Sequence, residues 1–131
     1  MCRLTKIYTG SCLCGAVSYR AEGPISDVVA CHCSQCRKQS GHYYAATNVD
    51  DVQLSVDGSE NLVWYQASEP AKRGFCGICG STMFWKHKDD AFTSVLAGSL
   101  DGPTGLKIKK HIFCANKGDY YEIADECPQT P

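Results

Sequence analysis

The chain has 131 residues, with thirteen basic and fourteen acidic side chains and a formal net charge of −1. That length suits one domain, 1–131, with a modest core, and with no basic run longer than Lys109-Lys110 the charge pattern excludes a nucleic-acid or anionic-membrane surface. No apolar stretch approaches the roughly 20 residues of a membrane span, and Met1-Cys2-Arg3-Leu4-Thr5-Lys6 leads into a strand-like segment, so the expectation is a soluble, cytoplasmic protein.

Short β-rich segments between turn signals dominate, and helical periodicity is scarce. In chain order the expected strands are Gly15 to Arg20, Val28 to Cys31, Tyr43 to Asn48, Val52 to Val56, Leu62 to Gln66, Thr82 to Lys86, Phe92 to Leu96 and Ile108 to Phe113. Turn-forming residues separate them at Glu22-Gly23-Pro24, Asp57-Gly58-Ser59, His87-Lys88-Asp89-Asp90 and Asp101-Gly102-Pro103. Only Ser34 to Gln39 reads as a helical turn, with Ser34 as its cap. The fold class that follows is mainly β, built from several small sheets. Trp64, Tyr65, Phe84 and Trp85 lie in strand-like runs and are expected in the core, with a substrate wall as the lesser reading. Cys114 is expected to be a small buried hydrophobe, and the residues from Cys127 to Pro131 to be loosely held.

Ten cysteines in a chain this short approach the density of a disulfide scaffold, but a reducing compartment and tight spacing favour metal ligands. Cys12 and Cys14 are two apart, which places both sulfurs on one face of an extended strand. Cys76-Gly77-Ile78-Cys79 is a two-thiolate knuckle of the zinc-ribbon kind. Together these four make a closed site, which has no position for substrate and is therefore structural. Cys31, Cys33 and Cys36 form a second group without an obvious fourth ligand, because His32 would point away from its neighbours in an extended backbone. Solvent or substrate then fills the fourth position. A plain ribbon pairing Cys33 and Cys36 with Cys76 and Cys79 is the alternative, and it leaves Cys12, Cys14 and Cys31 unexplained. Cys2 and Cys127 read as incidental thiols.

Zinc with three thiolates keeps a net negative charge, so it activates water weakly but accepts a soft thiolate readily. A thiol substrate meeting a one-carbon electrophile such as an aldehyde fits that chemistry, which makes or breaks a carbon–sulfur bond.

Gly10-Ser11-Cys12-Leu13-Cys14-Gly15-Ala16-Val17, Cys31-His32-Cys33-Ser34-Gln35-Cys36-Arg37 and Arg73-Gly74-Phe75-Cys76-Gly77-Ile78-Cys79-Gly80 resemble, in order, the three cysteine motifs of the glutathione-dependent formaldehyde-activating enzyme family. The segment from His111 to Ile123 is similar to that family's C-terminal part, with Cys114 and Tyr120 standing where the pattern has an aliphatic residue and a tryptophan. The resemblance implies a tent-like arrangement of small antiparallel sheets and two Zn²⁺ ions per chain. It places a structural zinc on Cys12, Cys14, Cys76 and Cys79, and a catalytic zinc on Cys31, Cys33 and Cys36. It also implies a carbon–sulfur lyase similar to S-(hydroxymethyl)glutathione synthase, acting on a glutathione-like thiol and an aldehyde. The centromere protein V branch of the same family allows a different class, a non-catalytic zinc module for protein interaction.

Beside the second cluster, Arg37 and Lys38 are candidates to meet a substrate carboxylate, with Arg37 favoured by its planar fork. His42 is the candidate proton carrier for the hydroxymethyl oxygen. His32 is expected on the far face of its strand, and His87 and His111 are given no role beyond structure.

Overall fold

The computed structural model describes residues 6–131, so the expectations for the first residues, Cys2 included, lie outside it. Ten strands carry the fold: β1 Ile7–Ser11, β2 Ser18–Glu22, β3 Val28–Cys31, β4 Tyr44–Asp50, β5 Leu54–Asp57, β6 Leu62–Gln66, β7 Ala71–Cys76, β8 Thr82–His87, β9 Phe92–Leu96 and β10 Ile108–Ile112. They form a three-stranded sheet in the order β1-β2-β5 and a seven-stranded sheet in the order β10-β3-β4-β9-β8-β7-β6. The one α-helix among the described residues is α1, Ser34–Ser40. All pairings are antiparallel except β10 with β3. Those two strands are remote in sequence, so no hairpin dictates their relative direction.

Three expected strands have the bounds read from the sequence, and the others shift by a few residues. β7 was missed because Lys72, Arg73 and Gly74 are weak strand formers. It forms because β6 and β8 pair with it on both sides. The strand expected from Val52 begins at Leu54, after a single 3-10 turn over Asp51–Gln53. The cap of α1 is Cys33, not Ser34: its sulfur accepts from the Cys36 backbone N–H, the geometry of an N-cap side chain.

Alternation on the strands of the large sheet separates two faces. On β4, Thr47 and Val49 are fully buried, while Tyr44, Ala46 and Asn48 line a cleft on the other side. β9 repeats this with Thr93 and Val95 inward and Phe92 and Ser94 on the cleft. The inward face packs on the small sheet: Tyr19 and Ala21 of β2 join Val49, Met83, Phe84 and Val95 in one apolar cluster. Tyr19 meets Phe84 edge-to-face at 5.5 Å.

Of the four aromatics expected in the core, only Phe84 is there, at 1% exposure. Trp64 and Tyr65 are exposed because β6 is the outer strand of its sheet, and Trp85 stands on the cleft wall. Cys114 is half-buried in a 3-10 turn, since the backbone turns left-handed at Phe113 and ends β10. The chain end is held, contrary to expectation: Pro128 and Thr130 make backbone bonds with this strand, His111 N–H to the Pro128 carbonyl at 2.9 Å and Thr130 N–H to the His111 carbonyl at 3.0 Å. No described helix is long and apolar enough to cross a membrane.

Candidate functional site

All nine described cysteines are free thiols. The sulfurs of Cys12, Cys14, Cys76 and Cys79 lie within 4.8 Å of one another. Cys12 and Cys14 converge at 3.6 Å, but across a turn rather than along a strand: β1 ends at Ser11, the Cys12 carbonyl accepts from Gly15 N–H, and Gly15 takes φ +82°. Gly80, at φ +81°, closes the Cys76/Cys79 knuckle in the same way. Backbone N–H groups of Val17, Ile78 and Cys79 point at the Cys12 or Cys76 sulfurs at 3.3 to 3.5 Å. The Ser81 hydroxyl and backbone bonds pull the Cys79 thiol down to about 5. A tetrahedral ion with zinc–sulfur bonds of about 2.3 Å needs sulfurs about 3.8 Å apart, and Cys14 and Cys76 stand at 3.8 Å. Four soft donors at that spacing, with backbone N–H groups to spread their charge, fit zinc.

The second group draws on three local structures. Cys31 ends β3, Cys33 caps α1, and Cys36 lies in the first turn of that helix. These sulfurs also lie within 4.8 Å of one another, with Cys31 and Cys36 at 3.2 Å. The contact with Cys31, aided by Arg73, lowers the Cys36 thiol to about 6, while the same contact and burial push Cys31 up. One protein thiol is therefore poised to ionise beside two others. Three soft donors with no fourth side chain fit a zinc ion that keeps an open position.

The cation next to this group is Arg73 of β7, to which the sequence reading gave no role. It is 4% exposed, and its guanidinium donates to the Cys36 sulfur at 3.5 Å and to the amide oxygens of Gln35 and Gln39 at 3.4 and 3.3 Å. Its carbon centre lies 4.9 Å from the Tyr44 ring centroid, and its Nε has no partner among the described residues. The signal that could have found it is its parity with Ala71 on a strand that the sequence did not disclose. Arg37 is half-buried, its Nε is also without a partner, and it is not among the residues lining the cleft. Lys38 is exposed.

Beyond the three sulfurs opens a cleft of about 510 Å³. Its floor is the outer face of the large sheet, with Val29, Ala46 and Phe92, and Trp85 and Phe113 stand around it. His42 is not among the residues lining the cleft: it is exposed, its Nδ1 is 2.7 Å from the Tyr120 hydroxyl, and its ring lies tilted against Tyr43 with centroids 4.4 Å apart.

His32 points away from the sulfurs, as expected, but into a buried chain of hydrogen bonds. Its Nδ1 is 2.6 Å from the Tyr121 hydroxyl, its Nε2 is 2.9 Å from His111 Nδ1, and His111 Nε2 is 2.9 and 3.0 Å from the two Asp125 oxygens. The bond to His111 holds Asp125 below the usual carboxylate range, so it is ionised at neutral pH. One arrangement with neutral rings then satisfies every group: Tyr121 O–H donates to His32, His32 Nε2–H to His111, and His111 Nε2–H to Asp125. His111, Asp125 and Cys127 also lie within 4.8 Å of one another, but these polar atoms are engaged already, with the Cys127 thiol donating to the Ile108 carbonyl at 3.2 Å.

A mainly β fold that gathers seven scattered cysteines into a four-thiol and a three-thiol centre defines a narrow class of protein. The chain belongs to the glutathione-dependent formaldehyde-activating enzyme family, whose model matches residues 7–116. A Halomonas elongata protein that bears this family's name is 34% identical, over 87% of this chain and 79% of its own. A Schizosaccharomyces pombe protein named as an uncharacterised lyase is 28% identical, over 91% and 87%. The crystal structure of a Rhodobacter sphaeroides protein superimposes with a TM-score of 0.62 at 29% identity, covering 74% of this chain and 91% of that one.

Proposed function

We propose that this chain is a zinc-dependent carbon–sulfur lyase that forms or breaks a thiol–aldehyde adduct at Cys31, Cys33 and Cys36. The observation that carries the proposal is the three-thiol group opening onto the cleft, with a buried arginine at its edge. Zinc held there would supply Lewis acidity that favours the thiolate form of a thiol brought to it. The chain's own residues would do the rest. Tyr44, Trp85 and Phe92 flank the space for the body of the substrate, limiting the water around the reacting atoms. Arg73 offsets the negative charge gathered on the sulfurs. In the forward direction the thiolate sulfur bonds to the aldehyde carbon, the carbonyl electron pair moves to oxygen, and that oxygen gains the proton the thiol gave up. The step is redox-neutral. Family membership supports formaldehyde as the aldehyde, and the name of the Halomonas relative supports glutathione as a first thiol to try. A second zinc on Cys12, Cys14, Cys76 and Cys79 is structural in this proposal. A cleft beside the three sulfurs favours catalysis over a purely protein-binding zinc module.

Exchange spectroscopy of formaldehyde with a thiol, with and without the protein, tests this directly. The expected result is faster exchange with at least one thiol, two zinc ions per chain, and loss of both the acceleration and one zinc in Cys36→Ser with the fold intact. No acceleration with any thiol overturns the lyase.

A further inference from the structure

We infer that this chain pairs with a second copy of itself along the outer side of β6, joining two seven-stranded sheets across a two-fold axis at Trp64. This pairing does not depend on the proposed reaction. A sheet edge leaves a row of backbone N–H and C=O groups free to pair with another strand, and proteins usually protect it with charge, proline, a bulge or covering chain. The large sheet treats its two edges differently. At one, the chain end runs beside β10, bonded to His111 and bridged to it by Gln129. At the other, β6 reads Leu62-Val63-Trp64-Tyr65-Gln66, with no charge and no proline, and its register with β7 has no bulge. Nothing among the described residues pairs with its outer side, and Val63, Trp64 and Tyr65 are 43, 38 and 62% exposed.

The ends of the β6–β7 ladder settle which backbone groups face outward. Gly77 N–H donates to the Asn61 carbonyl and Ala67 N–H to the Ala71 carbonyl. Antiparallel alternation then turns the backbone groups of Val63 and Tyr65 toward β7, and those of Leu62, Trp64 and Gln66 outward. Leu62 N–H is taken by the Ser59 carbonyl, and the remaining outward groups are open. The Trp64 ring lies back over its own sheet, stacked on Phe84 with centroids 6.2 Å apart, so it does not screen them. A two-fold axis at Trp64 lets the two Trp64 backbones exchange both bonds, and lets each Gln66 N–H donate to the other Leu62 carbonyl. Side chains agree with that register. Val63 of each copy stands opposite Tyr65 of the other, a β-branched and aromatic pair. Beyond the strand, Glu60 comes opposite Ser68 and Glu69 opposite Ser59, so no like charges meet. Such self-complementarity is what an interface between identical chains requires. One five-residue strand from each copy is a small junction beside the roughly 1,200 Å² of a stable interface, so the dimer forms reversibly, with a Kd of about 10 μM. An antiparallel junction keeps like faces on the same side, so both clefts open on one side of a continuous sheet.

Sedimentation velocity on the zinc-loaded protein, over about 1–200 μM, tests this, with a shift from monomer to dimer expected across that range. Tyr65→Lys puts a charge on the junction at its most exposed side chain and should raise Kd about tenfold or more. Val63→Glu combined with Tyr65→Lys brings opposite charges face to face in the Trp64-centred register and should recover the dimer, whereas Val63→Lys with Tyr65→Lys should remain monomeric. If the Val63 variants lose their thermal transition, Tyr65→Lys alone decides. A monomer at every concentration overturns the inference, as does a dimer that Tyr65→Lys leaves unchanged or an open-ended series of larger species. Loss of the dimer in Tyr65→Lys without recovery in a folded opposite-charge pair overturns the register.

Discussion

Arg73 places a full positive charge in the interior of a strand at 4% exposure, with no carboxylate among its hydrogen-bond partners. An unpaired buried cation is costly, so its counter-charge must be the neighbouring sulfur of Cys36, 3.5 Å away. Three thiolates with one zinc would carry net negative charge, and a substrate thiolate would add to it, so a fixed guanidinium there would stabilise both a loaded centre and its adduct. Replacing Arg73 with Met should weaken zinc retention at this centre about tenfold, and Lys should restore only part of it. Competition with a chromophoric chelator checks this, with Cys36→Ser marking the centre being read; unchanged retention in Arg73→Met would show that the charge is balanced elsewhere. All seven cluster cysteines were legible in the sequence because ligand spacing is local. Arg73 was not, since its importance depends on which way an unforeseen strand faces. Arg37 looked better placed because it follows Cys36 directly, yet the next residue of a helix points about 100° away, and the cleft lining does not include it.

Each element around the second centre is fixed by something outside itself. The sequence between Cys31 and Cys36 is too short to set its own geometry, and α1 has only seven residues. Its start is held by the Cys33 cap, and its approach by β3. β3 is braced from behind by β10 and the chain end through His32, His111 and Asp125. That end has neither alternation nor strand-forming residues, so its order was invisible in the sequence. It comes from backbone bonds to His111 and Cys114. His111→Ala would strand the His32 Nε2 at 1% exposure and should cost about 1–3 kcal/mol of stability by denaturant titration. The Asp125 contribution has a definite pH dependence. Its carboxyl is lowered in the fold, so the gain is complete above the ordinary carboxylate pKa of about 4 and is lost as pH falls through the depressed value. The Tm difference between wild type and Asp125→Asn should thus be present at neutral pH and vanish in acid; a difference that persists well below the depressed value would contradict the stabilising ionised Asp125.

At the scale of the molecule, the four-thiol centre and the apolar core are one construction. Cys12 and Cys76 are members of the buried cluster that joins the two sheets, beside Val17, Tyr19, Met83 and Phe84. Cys12 follows β1 of the small sheet and Cys76 ends β7 of the large one, so an ion held by both would pin the two sheets together. The mainly β class could be read from turn signals and strand-length runs, but the division into three and seven strands could not, because long-range pairing leaves no local mark. Metal held there would add a link between the sheets to the one the apolar core supplies. Structural zinc in small domains contributes about 10 kcal/mol or more of folding free energy, which is comparable to a whole domain's net stability of about 5–15 kcal/mol. Removing it should therefore unfold the protein cooperatively, whereas emptying the three-thiol centre should not, since Cys31 and Cys33 lie outside that cluster. Cys76→Ser is expected to lose the near-ultraviolet circular dichroism of the packed aromatics and the sharp thermal transition, and Cys36→Ser to keep both. If Cys76→Ser retains a native transition with one zinc fewer, the core alone holds the sheets and the four-thiol ion is dispensable.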